Sequence, residues 1–273
     1  MTIYEQMVAE YTEQQGEMAY NVEQEVMQQI ALAGLSRGGF FQHAAFYGGT
    51  CLRIFHHLPR FSEDMDFSLV EKRDDIHIEN YFSAIIEEFR AAGLEVTIVK
   101  KDKKIFGRVE SAFLKENTEA YDIKFQTKKM VKVKIELDTD PPLAFSTEQK
   151  MLTQPFSFMT RCFTLPDLYA GKMHALVYRA WRQRIKGRDW YDFEWYVRHK
   201  VPLDYQHLQA RIKEFSGEDV DQETFMRLLR EKLASCNMSL VKQDVLRYIP
   251  DPRELDIWSN DYFLLLADQI VFK

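Results

Sequence analysis

The chain has 273 residues, 46% of them apolar and 14% aromatic, which is ample core material for one large domain or two small ones. A formal net charge of −6 excludes a uniformly basic nucleic-acid coat. No apolar run approaches a membrane span, and three scattered cysteines without a CxxC pair speak against a disulfide framework or a zinc site. With no basic-then-apolar leader, the expectation is a cytoplasmic monomer with no membrane contact. The charge is uneven: residues 1–35 hold six Glu and no Lys or Arg. Residues 100–134 hold eleven Lys or Arg against five Asp or Glu, and residues 172–200 eight against three. Two basic zones of this kind suit a polyanionic substrate despite the overall sign.

Residues 3–34 contain good helix formers and no Pro, and predict one helix ended by Ala33-Gly34. The aromatic segment FFQHAAFYGGT turns at Gly48-Gly49, and Thr50 to His56 is expected to open a short helix at that turn. MDFSLV, residues 65–70, reads as a strand starting at Asp66. Residues 77–93 read as an amphipathic helix closed by Gly93, and residues 94–116 as two strands around a basic turn. Over 128–140 the alternation is strict. Val131, Val133, Ile135 and Leu137 face one way; Lys132, Lys134, Glu136 and Asp138 face the other. Pro141-Pro142 stops this strand.

After Pro166 the spacing becomes helical. One helix is predicted over 167–183, with Leu168, Met173, Leu176 and Val177 on its buried stripe, and another over 188–200 after a break at Gly187. The rest reads as helical apart from a turn at Pro250-Asp251-Pro252. The fold class is α+β: a core at 1–150 with its N-terminal helix, then a helical domain at 151–273, with the seam near 141–166.

The chemistry concentrates around GGTCLRIFHHLPRFSEDMDF. Glycines at 48 and 49 let backbone amides approach a phosphate, and a helix opening there aims its N-terminus at the anion. Asp64 and Asp66 are candidate ligands for a divalent ion bound by oxygens. Asp64 is expected on the turn leading into the strand, where the strand alternation is not yet in force. A third carboxylate from a neighbouring strand, Glu136 or Asp138, would complete the set. Taken alone, Lys172 reads as a solvated lysine and Asp189 as a helix ion-pair partner. His56 and His57 read as loop residues with no metal-binding spacing, and His174 as pointing away from Lys172. Trp181, Trp190 and Trp195 read as core.

Four segments in order resemble the AbiEii/AbiGii toxin family, which is related to the MenT toxins within the DNA polymerase β-type nucleotidyltransferase superfamily. GGT followed by RFSEDMDF is similar to that family's GGT and RxSxDxDF motif. VKVKIELD (131–138) resembles its third-carboxylate strand, DLYAGKMHAL (167–176) its (A/E)xK motif and GRDWYDF (187–193) its RDxYD motif. The resemblance spans residues 47–193. It implies a polymerase β-type core, a mixed sheet flanked by helices, whose active site is completed by the helical half.

The resemblance also implies site roles. Asp64, Asp66 and Glu136, or Asp138 in its place, would hold Mg²⁺ or Mn²⁺. Gly48, Gly49, Thr50 and Ser62 would bind the nucleotide. Lys172 would neutralise the triphosphate, Asp189 would be the essential acid, and Arg188 would position it or bind substrate. The implied activity is that of a toxin from a bacterial toxin–antitoxin pair. It would move NMP from an NTP to RNA, with the tRNA 3′ end the foremost acceptor and a cognate antitoxin encoded nearby. Two alternatives stay open: the same fold modifying a protein or small molecule, and an inactive protein that only binds nucleotide or antitoxin.

Overall fold

A computed structural model describes residues 1–15, 19–100, 118–125, 132–179 and 185–273. These form two compact units. The first comprises Met1–His57, Phe61–Leu143 and Thr147–Cys162; the second comprises Leu58–Arg60, Ala144–Ser146 and Phe163–Lys273. The first unit is built on a seven-stranded mixed sheet, and the described residues include ten α-helices.

The chain begins with α1 (Ile3–Gln15) and α2 (Ala19–Arg37). The single helix expected over 3–34 is thus two, and α2 continues past Gly34. That glycine serves close packing and not termination: a Cβ there would stand 2.7 Å from the Cα of Ile85 on α4 (Phe82–Ala91). Next come β1 (Ala44–Tyr47), α3 (Gly48–His56), β2 (Asp64–Leu69) and, after α4, β3 (Val96–Lys100). The second strand expected within 94–116, with its basic tip, lies outside the described residues. The described partner is β4 (Thr118–Phe125), followed by β5 (Lys132–Asp138), β6 (Thr147–Leu152) and β7 (Phe158–Phe163). The strand order is β3-β4-β5-β2-β1-β7-β6.

β2 and β5 run parallel in the middle of this sheet, with Met65 opposite Ile135 and Phe67 opposite Leu137. All four are buried, and Phe67 packs against the rings of Phe40 and Phe46 at centroid distances of 5.2 and 5.0 Å. Burying this face commits the alternate residues of both strands to the other one. Asp64 is part of the regular strand and not of a turn before it. Side chains at i and i+2 share a face, so it is the regular alternation itself that sets Asp64 and Asp66 side by side.

The second unit contains α5 (Leu165–Tyr178), α6 (Arg188–Arg198), α7 (Tyr205–Ser216), α8 (Gln222–Ser235), α9 (Met238–Val245) and α10 (Asn260–Ala267). Side chains of Asp204, Asp221, Asn237 and Ser259 accept N-terminal amides of α7, α8, α9 and α10, satisfying donors that a helix leaves open. α5 ends at Tyr178, so the part of the predicted helix at 180–183 falls outside the described residues. α5 and α6 meet through the stacked rings of Tyr169 and Tyr196, 4.4 Å apart. Trp190 and Trp195 are buried; Trp181 lies outside the described residues.

Candidate active site

The first unit carries an acidic sheet face. The antiparallel register of β1 and β2 puts Tyr47 opposite Asp66, so the chain leaves β1 beside that aspartate and turns at once into α3. Gly48 makes this turn at φ +81°, in the left-handed region that favours glycine. A Cβ on it would collide with Oδ2 of Asp66 and stand 3.1 Å from its Cγ. Gly48 and Gly49 form the first turn of α3, which no side chain caps, and Thr50 follows them, buried. The Thr50 hydroxyl donates to the carbonyl of Asp64, tying the turn to the strand.

Across β2, β5 and β4 the side chains of this face stand in rows. Asp64, Lys134 and Asp122 share one row; Asp66, Glu136 and Ala120 the next; Ser68, Asp138 and Thr118 the third. Glu136 is therefore the neighbour of Asp66, while Asp138 sits beside Ser68, with Oδ1 accepting from the Asp140 amide at 3.2 Å. Burial, together with the Glu136 and Asp64 carboxylates, pushes Asp66 up to about 7. Lys134 answers this crowding: its Nζ lies 2.5 Å from Oε1 of Glu136. Burial works against the ammonium, but Asp64, Glu136 and Asp66 outweigh it and raise Lys134 to about 12.

A hard divalent ion suits such a donor set, which is all carboxylate oxygen on one rigid face. Among the described residues, no three His, Cys, Asp or Glu side chains are already drawn together as a metal cage. Like charges repel without a counter-ion, and here an ammonium supplies the positive charge.

The loop before β2 is fixed from beneath. Gln24 and Gln28 lie one turn apart on α2 and are buried. Gln28 Nε2 donates to the carbonyls of Ser62 and Glu63 at 2.9 and 3.0 Å; Gln24 Nε2 donates to those of Glu63 and Lys132 at 3.3 and 3.2 Å. One helix face thus holds the lead-in to β2 and the start of β5 together. Arg53 on α3 pairs with Glu25 on α2 at 2.9 Å and lies over the Phe61 ring. His56 is the last residue of α3, and His57 closes that helix at φ 58°, so neither belongs to an open loop.

The second unit carries a chain of alternating charges. Lys172 on α5 places Nζ 2.9 Å from Asp189 Oδ1 and 2.8 Å from Asp192 Oδ2, both on α6. Arg179 Nη1 reaches Asp189 Oδ2 at 3.1 Å, and Arg60 grips Asp192 with Nε and Nη2 at 2.5 and 2.6 Å. Asp189 and Asp192 are three residues apart and so share a helix face. Burial alone would raise both carboxyls. Lys172 and Arg179 overcome it at Asp189, and Arg60 and Lys172 at Asp192, holding each below the usual carboxylate range. Arg188 lies with its guanidinium over the Tyr248 ring, 4.3 Å from the centroid. His174 is buried and stacked on Tyr178.

A mixed sheet with paired strand carboxylates beside a Gly-Gly helix opening defines the class: a nucleotidyltransferase-type α+β protein. The sequence profile of the nucleotidyl transferase AbiEii toxins of type IV toxin–antitoxin systems matches residues 30–272, and the chain belongs to that family. Among solved structures it is similar to MenT4, a nucleotidyltransferase toxin of Mycobacterium tuberculosis, at 17% identity and a TM-score of 0.55, over 98% of this chain and 94% of that one. It is also similar to JHP933 of Helicobacter pylori, at 18% identity and a TM-score of 0.54, over 91% and 90% of the two chains. No curated protein matches in sequence. Among the described residues no helix is long and apolar enough to cross a membrane.

Proposed function

We propose that the protein is a cytoplasmic toxin that moves NMP from an NTP to the 3′ end of an RNA, tRNA foremost, and that its antitoxin opposes this activity. In the reaction an acceptor hydroxyl oxygen bonds to the α-phosphorus while the bond to the bridging oxygen breaks. Pyrophosphate leaves, and the hydroxyl proton passes to a base. The observation that carries the reading is the register of β2 and β5, which stands Asp66 beside Glu136 next to the Gly48 turn.

Asp64, Asp66 and Glu136 would hold the divalent ion, Mg²⁺ or Mn²⁺. When bound, such an ion lowers the pKa of the attacking hydroxyl and neutralises phosphate charge. The backbone amides opening α3 bind the triphosphate. Thr50 contributes there through its N–H, since its hydroxyl proton is committed to Asp64. Ser62 stands two residues before Asp64 on the loop held by Gln28.

Lys172 takes the triphosphate charge, as its motif implies, while Asp189 and Asp192 orient it. Glu136 is the proposed proton acceptor because it stands in the row of Asp66 beside the Gly48 turn, whereas Asp189 is engaged by Lys172 and Arg179. Arg188 stays a candidate substrate contact. Purified protein incubated with each α-labelled NTP, Mg²⁺ and either total RNA or a protein extract tests the reading. Label on RNA 3′ ends with equimolar pyrophosphate is expected. Label on protein alone, or on nothing, overturns the RNA acceptor.

A further inference from the structure

The ammonium of Lys134 stands where a bare cation would be expected. Lys134 is the middle residue of the row between Asp64 and Asp122, one step from the row of Asp66 and Glu136. Its Nζ lies 2.5 Å from Glu136 Oε1, and both side chains are mostly shielded, at 19% and 16% exposure. Asp122, opposite Lys134 in that row, shares its own charge with Lys132, whose Nζ lies 2.9 Å from its Oδ2. The acidic face therefore comes with its own tethered counter-ion, anchored by a β-strand backbone on each side.

We propose that Lys134 keeps the acidic face closed to free divalent ions and opens it to a metal that arrives with a nucleoside triphosphate. This rests on Asp64, Asp66 and Glu136 being the metal-holding set. A free ion must displace the ammonium while bringing no ligand of its own except water. A metal–triphosphate brings phosphate oxygens that complete the ion's coordination and also accept the displaced ammonium. Metal and nucleotide binding are then coupled through one side chain, and each tightens the other equally. Lys134 is a positioning residue in this scheme, because it acts through the carboxylates it neutralises.

The test is Mn²⁺ binding, followed by electron paramagnetic resonance on the full chain at neutral pH, with thermal unfolding as a check on folding. Lys134→Met and Lys134→Gln should each bind free Mn²⁺ about tenfold or more tighter than the wild type. Lys134→Arg, which keeps the charge, should stay near the wild type. With a saturating non-hydrolysable NTP analogue the difference should collapse, because the nucleotide does the work of displacement.

Equal affinity for free Mn²⁺ in wild type, Lys134→Met and Lys134→Gln overturns the proposal. If all of them still bind Mn²⁺ with the analogue, the metal-site reading survives that failure. If the tight Mn²⁺ of Lys134→Met persists after Asp64→Asn and Asp66→Asn are added, the ion lies elsewhere, and the proposal and the metal-site reading fall together.

Discussion

Arg60 and Asp192 form a buried two-pronged ion pair, Nε to Oδ1 at 2.5 Å and Nη2 to Oδ2 at 2.6 Å, with side chains 2% and 0% exposed. Arg60 is the arginine of the segment that leads, four residues later, to Asp64 and β2. Its partner is the last acid of RDWYD on α6. Arg60→Leu leaves Asp192 with Lys172 alone. Breaking one side of such a pair costs about 3–5 kcal/mol, whereas Arg60→Lys should cost less, since it keeps the charge and loses the fork. Urea unfolding of both variants and of Arg60→Leu/Asp192→Leu checks this: the double variant should recover part of the single loss.

Gly48 is predicted to tolerate no side chain. Its φ of +81° and the overlap of a Cβ with the Asp66 carboxylate act together. Gly48→Ala should cost about 1–2 kcal/mol in backbone strain alone. It should also displace Asp66 and lower transfer on the order of 10²-fold. A steady-state comparison with wild type, at matched folded fraction, reads the second effect apart from the first.

Gly171 should behave in the opposite way. It lies within α5, beside Lys172, and among the described residues nothing stands within 4 Å of where its Cβ would be. Gly171→Ala should stabilise the fold by roughly 0.5–1 kcal/mol. If thermal unfolding shows that gain while transfer falls, the open space over Gly171 is where substrate lies; if stability drops, the space is not open.

Acid should act through opposing groups: protonation of Asp66, raised to about 7, favours the folded state as the pH falls toward 4, while two sets of buried side chains work against it. Burial and the charge of Arg211 push His207 down from 6.5 to about 3, where it packs edge-on against the stacked rings of Phe145 and Phe163. Below about pH 6.5 the unfolded chain takes up a proton that folded His207 refuses, so its share of stability falls as the pH drops toward 3. His56, brought down to about 4 by burial and Lys150, adds to this loss. Asp189 and Asp192 have folded pKa values below their unfolded ones. Their contribution is complete above about pH 4 and fades as the pH falls further. Urea titrations across this range should show the histidine loss reduced in His207→Leu. Superimposable profiles between pH 6.5 and 4 would mean His207 is not held neutral.

The motifs were readable because each is local: GGT makes its turn, and DMD, KIELD and RDWYD place their acids by alternation or by helical spacing, within a few residues. What holds those acids was not. Gln24, Gln28 and Arg60 act over 34 or more residues of separation, and nothing in their neighbourhoods marks them as partners of Ser62 or Asp192. Arg179 was visible only as one charge in a basic run. Gly34 has the look of a helix stop, and the reason it is not one lies on α4. β6 and β7 lack the alternation that revealed β5. TEQKML has no fully buried residue, and FMTRCF buries Thr160 and Cys162 where large apolar residues would have signalled a strand.

The most direct measurement is NMP transfer with matched pyrophosphate release by wild type, Glu136→Gln and Asp138→Asn. Because Glu136 stands in the Asp66 row and Asp138 in the Ser68 row, the first variant should lose on the order of 10²–10³-fold in rate and the second only a few-fold. Full activity in Glu136→Gln, or no transfer by wild type to any acceptor with any NTP, would contradict the account.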